Sequence, residues 1–295
     1  MKISVDIGFK RAYDVGIETI KWEKIMRDAG IYTDLDINEY HSSEGISSSG
    51  ITLLIDCPKR YFHKYIEKGK SEDTSAMQLG RAVHMLVLEP EVFAKTFFIM
   101  RNACDLRTKD GKEKFAQAEI DAHGRTILRK GMWEHVYDMA DAIKKSATWN
   151  KIIPGNVEHS VLWDAGIYNT RLRARPDFYN GTMIVDIKTT DSIKSFSKSI
   201  HSYGYHRQAA MQIDGLKQHD GKERFFGFMV VENKAPYLTA CFVLNEQSVR
   251  QGRREYLDAA AVYHDCMSTG IWPGYEDSFQ EISIPAYAIK EEQLI

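Results

Sequence analysis

Residues 174–190, ARPDFYNGTMIVDIKTT, carry two acids and a lysine in an otherwise largely apolar run: Asp177, Asp186 nine residues later, and Lys188 two residues beyond that. TRLRARPDFY (170–179) and TMIVDIKT (182–189) read as strands, with Tyr179-Asn180-Gly181 as a tight turn between them. Side chains alternate along a strand, so Asp186 and Lys188 point one way while Ile187 points into the packed side and keeps its carbonyl near the edge. In the preceding strand Arg171, Arg173, Arg175 and Asp177 share one face, and Leu172, Ala174 and Phe178 the other. Across the hairpin the two polar faces can meet.

Two carboxylates that converge repel each other unless a cation lies between them. An all-oxygen site of carboxylates, a carbonyl and waters suits Mg2+ or Mn2+. A lysine beside it can hold an attacking water and offset charge that develops on a phosphorane-like transition state. The acid-x-lysine triplet alone is a weak signal, since it recurs at Asp110–Lys112, Asp220–Lys222 and Glu232–Lys234. Only residues 186–188 combine a strand interior with an upstream Pro-Asp at hairpin distance. A surface cross-strand pair of Asp177 and Lys188, worth about 0.2–1 kcal/mol, accounts for the same residues without any chemistry.

Outward from the hairpin, strand patterns occupy residues 157–164, RFFGFMVVE (224–232) and YLTACFVL (237–244). Helical periodicity covers GISSSGITLLIDCPKRYFHKYI, broken at Pro58, then MQLGRAVHMLVLEP up to Glu89-Pro90. Further helical stretches are expected over 112–123, 132–149, 192–202, 203–217 and 246–269. This order predicts one α/β (α+β) domain with a central mixed β-sheet flanked by helices. The expected division is an N-terminal extension over residues 1–40, a body over 41–270 and a C-terminal tail over 271–295.

The chain of 295 residues is 43% hydrophobic and 27% charged, ordinary values for a globular protein. Cys57, Cys104, Cys241 and Cys266 are scattered without a C-x-x-C pair, which gives no zinc or iron–sulfur pattern and implies reduced, mostly buried thiols. A net charge of −2 argues against a broadly basic, DNA-coating surface, so nucleic-acid contacts must be local. No run of eighteen apolar residues exists, and MKISVDIGFK lacks a signal-peptide core, so the expectation is a cytoplasmic protein without a membrane partner.

Four blocks, in order, resemble the PD-(D/E)XK nucleases and within them the RecE-type exonuclease (exodeoxyribonuclease VIII) of phages and prophages. They are EYHSSEGISSSGITLLIDCPKRYFHKYI, LGRAVHMLVLEPEVF, the pair RARPDF and IVDIKTT, and YHRQAAM, spanning roughly Glu39 to Leu244. The resemblance implies a restriction-endonuclease-like core in which His84, Asp177, Asp186 and the Ile187 carbonyl hold Mg2+, with Mn2+ able to substitute. Taken alone, one helical histidine reads as a core residue. Lys188 is implied to position the water, and Gln208 to orient the strand. Related nucleases carry Tyr four residues after that Gln. Here Gln212 stands there, with Tyr205 on the same helical face as a substitute ring. Glu89 is a secondary candidate in the histidine block, and its bland role is to end a helix before Pro90.

A likeness of GISSSG to lambda-type exonucleases makes Ser47 and Ser49 candidates for a terminal-phosphate pocket, although either can simply cap a helix. Arg81, Arg173 and Arg175 are candidates for backbone-phosphate contacts. The activity implied is Mg2+-dependent degradation of linear double-stranded DNA from its ends, 5' to 3', leaving single strands for recombination. The implied partners are further copies of the chain in a ring and a single-strand annealing protein, in a bacterial host cell. The rivals are a nuclease of the same fold acting on single strands, flaps or branches, and a non-catalytic DNA-binding scaffold.

Overall fold

The computed structural model describes residues 27–67 and 74–285. The 170–190 hairpin lies at its centre, shared between two sheets. Strand Met183–Thr190 runs parallel to Phe225–Glu232 in the middle of a five-stranded sheet. Thr239–Val243 pairs antiparallel on one side, and Phe178–Tyr179 and then Asn156–Val157 on the other. A second, three-stranded antiparallel sheet holds Gly30–Tyr32, Ser160–Ala165 and Thr170–Ala174. A short parallel pair, Phe97–Ile99 with Thr126–Leu128, falls where the sequence reads only as irregular.

The central mixed sheet is covered on both faces, as expected for this class. Val185, Ile187, Met229 and Val231 pack with Ala82, Val83, Val136 and Met139 of helices Ser75–Leu88 and Met132–Lys144. On the other face Ile184, Phe226, Phe228 and Val230 pack with Ala209, Ala210 and Ile213 of helix Tyr205–Asp220. Three helices start where a side chain takes up a free amide: Thr74 accepts from Met77 N, Ser47 from Gly50 N, and Asn245 from Ser248 N. Ser146 does the same for Trp149 N, which splits the stretch expected as one helix over 132–149 into Met132–Lys144 and Ala147–Ile152.

The strand expected over 170–179 is broken at residues 175–177, where Pro176 has no N–H to give to a ladder. At the matching point of its partner, Glu158 adopts φ +52° between Asn156–Val157 and Ser160–Ala165. The hairpin therefore turns a corner from one sheet into the other, with Asp177 at the corner. The expected boundary at residue 40 falls inside helix Ile37–Ser42, and Gly30–Tyr32 is a strand of the second sheet. Residues 1–26 of that expected extension and 286–295 of the expected tail lie outside the described residues. All four cysteines are free; Cys57 and Cys266 are buried, Cys104 is half-buried, and Cys241 is exposed.

Helix Glu246–Thr269 crosses helix Tyr205–Asp220 at Gly252, which is buried. A Cβ there would stand against the His206 carbonyl oxygen, well inside contact distance, so the backbones meet because this residue has no side chain. Gly252→Ala is expected to destabilise the protein by about 1–3 kcal/mol through overpacking, read as a lower denaturation midpoint, in spite of alanine's better helix propensity.

Candidate active site

Asp186 sits in the middle of the central strand pair with no exposed surface. Lys188 Nζ lies 2.5 Å from its Oδ2, and Gln208 Nε2 donates to its Oδ1 at 2.7 Å. Lys188 also donates to Gln208 Oε1 at 3.5 Å, and its ammonium lies 4.6 Å from the centre of the Tyr205 ring. Across the corner His84 Nδ1 lies 3.0 Å from Asp177 Oδ2, and that oxygen accepts the Ile187 N–H at 2.8 Å. The hairpin thus joins Asp177 to the Asp186 strand through backbone, while helix Ser75–Leu88 delivers His84 and helix Tyr205–Asp220 delivers Gln208.

The protonation pattern follows from this geometry. Burial and the Asp177 charge raise the Asp186 carboxyl, against the pull of Lys188. Burial opposes the Asp177 carboxylate too, but His84, Lys188 and the Ile187 amide outweigh it and lower its pKa. Burial likewise works against charge on His84 and Lys188, and their carboxylate neighbours overcome it, so both are raised. Lys188 is therefore an ammonium donor at neutral pH and has no capacity to accept a proton.

Among the described residues no three His, Cys, Asp or Glu side chains form a ready cage for a metal, since His84 turns to Asp177 and Lys188 to Asp186. The donor chemistry nevertheless fits a small divalent cation: two buried carboxylates that repel each other, one imidazole, and no soft ligand. His84, Asp177 and Asp186 are the side chains that would hold it.

The cluster opens on a cleft of about 960 Å3 lined by His84, Lys188, Tyr205, Glu89, Arg81 and Glu158, among others. Arg81 is exposed at its wall and lies over the Phe97 ring at 5.9 Å. A neighbouring cavity of about 290 Å3 is bordered by Ser47, Ser49, Tyr65, Arg173, Gln208 and Gln212, among others. The capping reading holds for Ser47. Ser47 caps its helix, and the Ser47, Ser49 and Tyr65 hydroxyls form a chain with steps of 2.9 and 3.0 Å along the cavity wall. Gln212 is 3% exposed, so it does not belong to a solvated face.

Arg173 and Arg175 depart from the expectation of phosphate contacts. Arg173 Nη1 donates to the carbonyls of Tyr40, His41 and Ser43 at 2.5, 2.9 and 2.7 Å, and the residue is buried. Arg175 binds Glu158, Leu35 O and Ser160 Oγ at 2.9, 2.8 and 2.9 Å. Their guanidinium groups hold residues 35–43 onto the second sheet. Glu158, overlooked in the sequence, borders both cavities. Burial and the Asp177 charge push it up to about 7, against its Arg175 partner. Its only sequence signal is a glutamate interrupting a strand pattern.

Fold and site together define a class of protein: a mixed sheet covered on both faces, with an acid and a lysine on its central strand and a second acid at the hairpin corner beside it. Residues 47–282 match the model of a PDDEXK-like domain of unknown function, DUF3799, and the chain belongs to that family. A search of curated proteins gives no match. Among solved structures, a protein from Eubacterium rectale provisionally named an exonuclease is similar over 82% of this chain and 91% of its own, with TM-score 0.59 and 14% identity. At that identity the likeness speaks for the fold alone. A phage-related exonuclease from Haemophilus somnus 129PT is 13% identical over 77% of this chain and 96% of its own, with TM-score 0.30.

Glu158 makes a pH-dependent contribution with a definite sign. Its folded pKa, near 7, lies above its ordinary value of 4.5, so the folded state holds the extra proton between them and stability is lost as pH rises through that window. Glu158→Gln removes the titration. Melting of both proteins in EDTA from pH 4 to 8 is expected to show a shallower decline above about pH 4.5 for the variant.

Proposed function

We propose that this protein is a Mg2+-dependent exodeoxyribonuclease of the RecE type, degrading linear double-stranded DNA from its ends, 5' to 3'. The observation that carries the nuclease reading is the fully buried Asp186, held by Lys188 and Gln208 and set across a hairpin corner from Asp177 and His84. A surface ion pair needs none of that burial. End preference, direction and a ring of several copies rest on the resemblance of the four sequence blocks. The single strands it leaves would serve recombination through a single-strand annealing protein.

In this reading His84, Asp177, Asp186 and the Ile187 carbonyl hold Mg2+ or Mn2+, which when bound supplies Lewis-acid polarisation of the phosphoryl oxygens. The chain's own groups do the rest. Lys188, fixed as an ammonium, donates to the attacking water or to a phosphoryl oxygen that gains charge in the transition state. Gln208 is a positioning residue: its amide bridges Asp186 and Lys188, so both keep their rotamers when the pair between them opens. Tyr205 closes one side of the ammonium with its ring face. In the same reading the hydroxyls of Ser47 and Ser49, which border the neighbouring cavity, would receive a terminal phosphate.

The test is digestion of end-labelled linear duplex and closed circular DNA with Mg2+, with EDTA, and with Lys188→Ala. Loss of the linear duplex alone is expected, abolished by EDTA and slowed about 100-fold or more by the substitution. Cutting of circles would replace the exonuclease reading by an endonuclease one. If no DNA is cut, Mg2+-dependent thermal stabilisation that disappears in Asp186→Ala would leave a metal-binding scaffold.

A further inference from the structure

Away from the carboxylates, a groove of about 530 Å3 separates helix Phe196–Ser202 from the first turns of helix Glu246–Thr269. Gln247, Arg250, Gln251 and Arg254 line it at the i, i+3, i+4, i+7 spacing of one helical face, with Ser197 and His201 opposite. No carboxylate is among its lining residues. The nearby Glu255 binds His206 and Arg207 through Oε2 at 2.9 and 2.7 Å and accepts from Gln251 through Oε1 at 2.8 Å. Arg253 is taken up by Asp214 at 2.6 Å. Among the described residues Arg250 pairs with Glu246 on the exposed surface, an interaction of little strength. Arg254 has no ion-pair partner among the described residues. The groove therefore offers two guanidinium groups, one of them paired with the exposed Glu246, while the Gln251 amide is taken up by Glu255.

A path of rings leads to it from Lys188. Tyr205 faces the ammonium at 4.6 Å, and Tyr203, 65% exposed, lies 5.6 Å from Tyr205. Two residues before Tyr203, His201 borders the groove and stacks on His206 at 5.9 Å. Aromatic faces followed by cationic donors are the pattern that holds a single strand by base stacking and phosphate contact. Arg250 and Arg254 stand about 6 Å apart along the helix axis, so two phosphates of one extended strand can be met at once.

We propose that this groove is a second nucleic-acid contact, holding the phosphates of a single strand that passes from the carboxylate site over Tyr203. It rests on the nuclease reading above for its substrate class. Duplex is disfavoured because an exposed ring offers nothing to bases that are already stacked in pairs.

The experiment is fluorescence anisotropy of a labelled single strand of about 20 nucleotides, in EDTA so that none is cut, over a salt series. The wild type is compared with Arg250→Ala/Arg254→Ala, Tyr203→Ala and, as a charge control, Lys130→Glu. Loss of two phosphate contacts is expected to flatten the log–log salt slope by about 1.4, about 0.7 for each, and to weaken binding at low salt about tenfold or more. Tyr203→Ala is expected to weaken single-strand binding and leave duplex binding unchanged. Binding and slope of the double variant equal to those of Lys130→Glu, with circular dichroism reporting a folded protein, would overturn the groove. Equal losses for single strand and duplex in Tyr203→Ala would overturn the single-strand assignment. The nuclease reading is judged separately by digestion with Mg2+. DNA cut by a protein whose double variant binds normally removes the groove alone, and an uncut duplex with the predicted binding loss removes the nuclease alone.

Discussion

A carboxylate without solvent contact in the middle of a sheet is the constraint on which this structure turns. Asp186 faces the side of the sheet that also carries Ile184, Phe226 and Phe228, and both sheet faces are covered by helices. An isolated carboxylate there would cost several kcal/mol or simply take up a proton. Lys188, two residues along on the same strand face, supplies opposite charge, and Gln208 supplies a hydrogen bond from the covering helix. Helix Tyr205–Asp220 is thereby fixed in register by a polar contact as well as by Ala209, Ala210 and Ile213. Compensation is incomplete, because burial and Asp177 still raise the Asp186 carboxyl.

The second carboxylate reaches the first only because the hairpin bends. Pro176 ends one ladder and Glu158, with φ +52°, ends the other at the same level, so Asp177 leaves the strand plane and meets the Ile187 amide and His84. A straight hairpin would have put Asp177 on the arginine face with Arg173 and Arg175. That face became interior instead: the two guanidinium groups bind carbonyls and side chains of residues 35–43 and 158–160. The segment before residue 43 is consequently part of the scaffold that holds the corner.

The sequence carried the central strands and the pairing of Asp186 with Lys188 clearly, because alternation and the Asn-Gly turn are local signals. The helix bearing Gln208 was also legible, with bounds near those observed. What local reading missed is non-local. The strand 170–179 was expected unbroken, because Arg-Pro-Asp is compatible with an edge strand and nothing nearby announces a second sheet. Arg173 and Arg175 read as free for phosphate contacts because the residues that cover them lie some 130–140 positions away. Glu158 looked like a strand residue, and only its backbone angle aims it at the cavities. Residues 250–254, Arg-Gln-Gly-Arg-Arg, read only as part of the helical stretch over 246–269. Gly252 allows that helix to touch its neighbour, and the same contact brings Arg250 and Arg254 to the edge of a groove.

Net charge alone is a poor guide to how such a chain meets a polyanion. Of its basic side chains, several of the most buried are spent inside: Arg171 on Asp164, Arg173 on carbonyls, Arg175 on Glu158, Arg207 on Glu255, and Arg224 on Asp220. These contribute to the overall balance of −2 without contributing a field that a ligand can feel at contact distance. What counts near a surface is the charge left over after internal pairing, since exposed charges more than about 8–10 Å apart are screened from one another at physiological salt. Lys188 belongs to the first group, its ammonium paired with Asp186. Under the proposed reading, a cation held by Asp186 would leave the Lys188 ammonium unpaired at the cleft, so the pair that solves the burial problem of Asp186 would also keep positive charge in reserve.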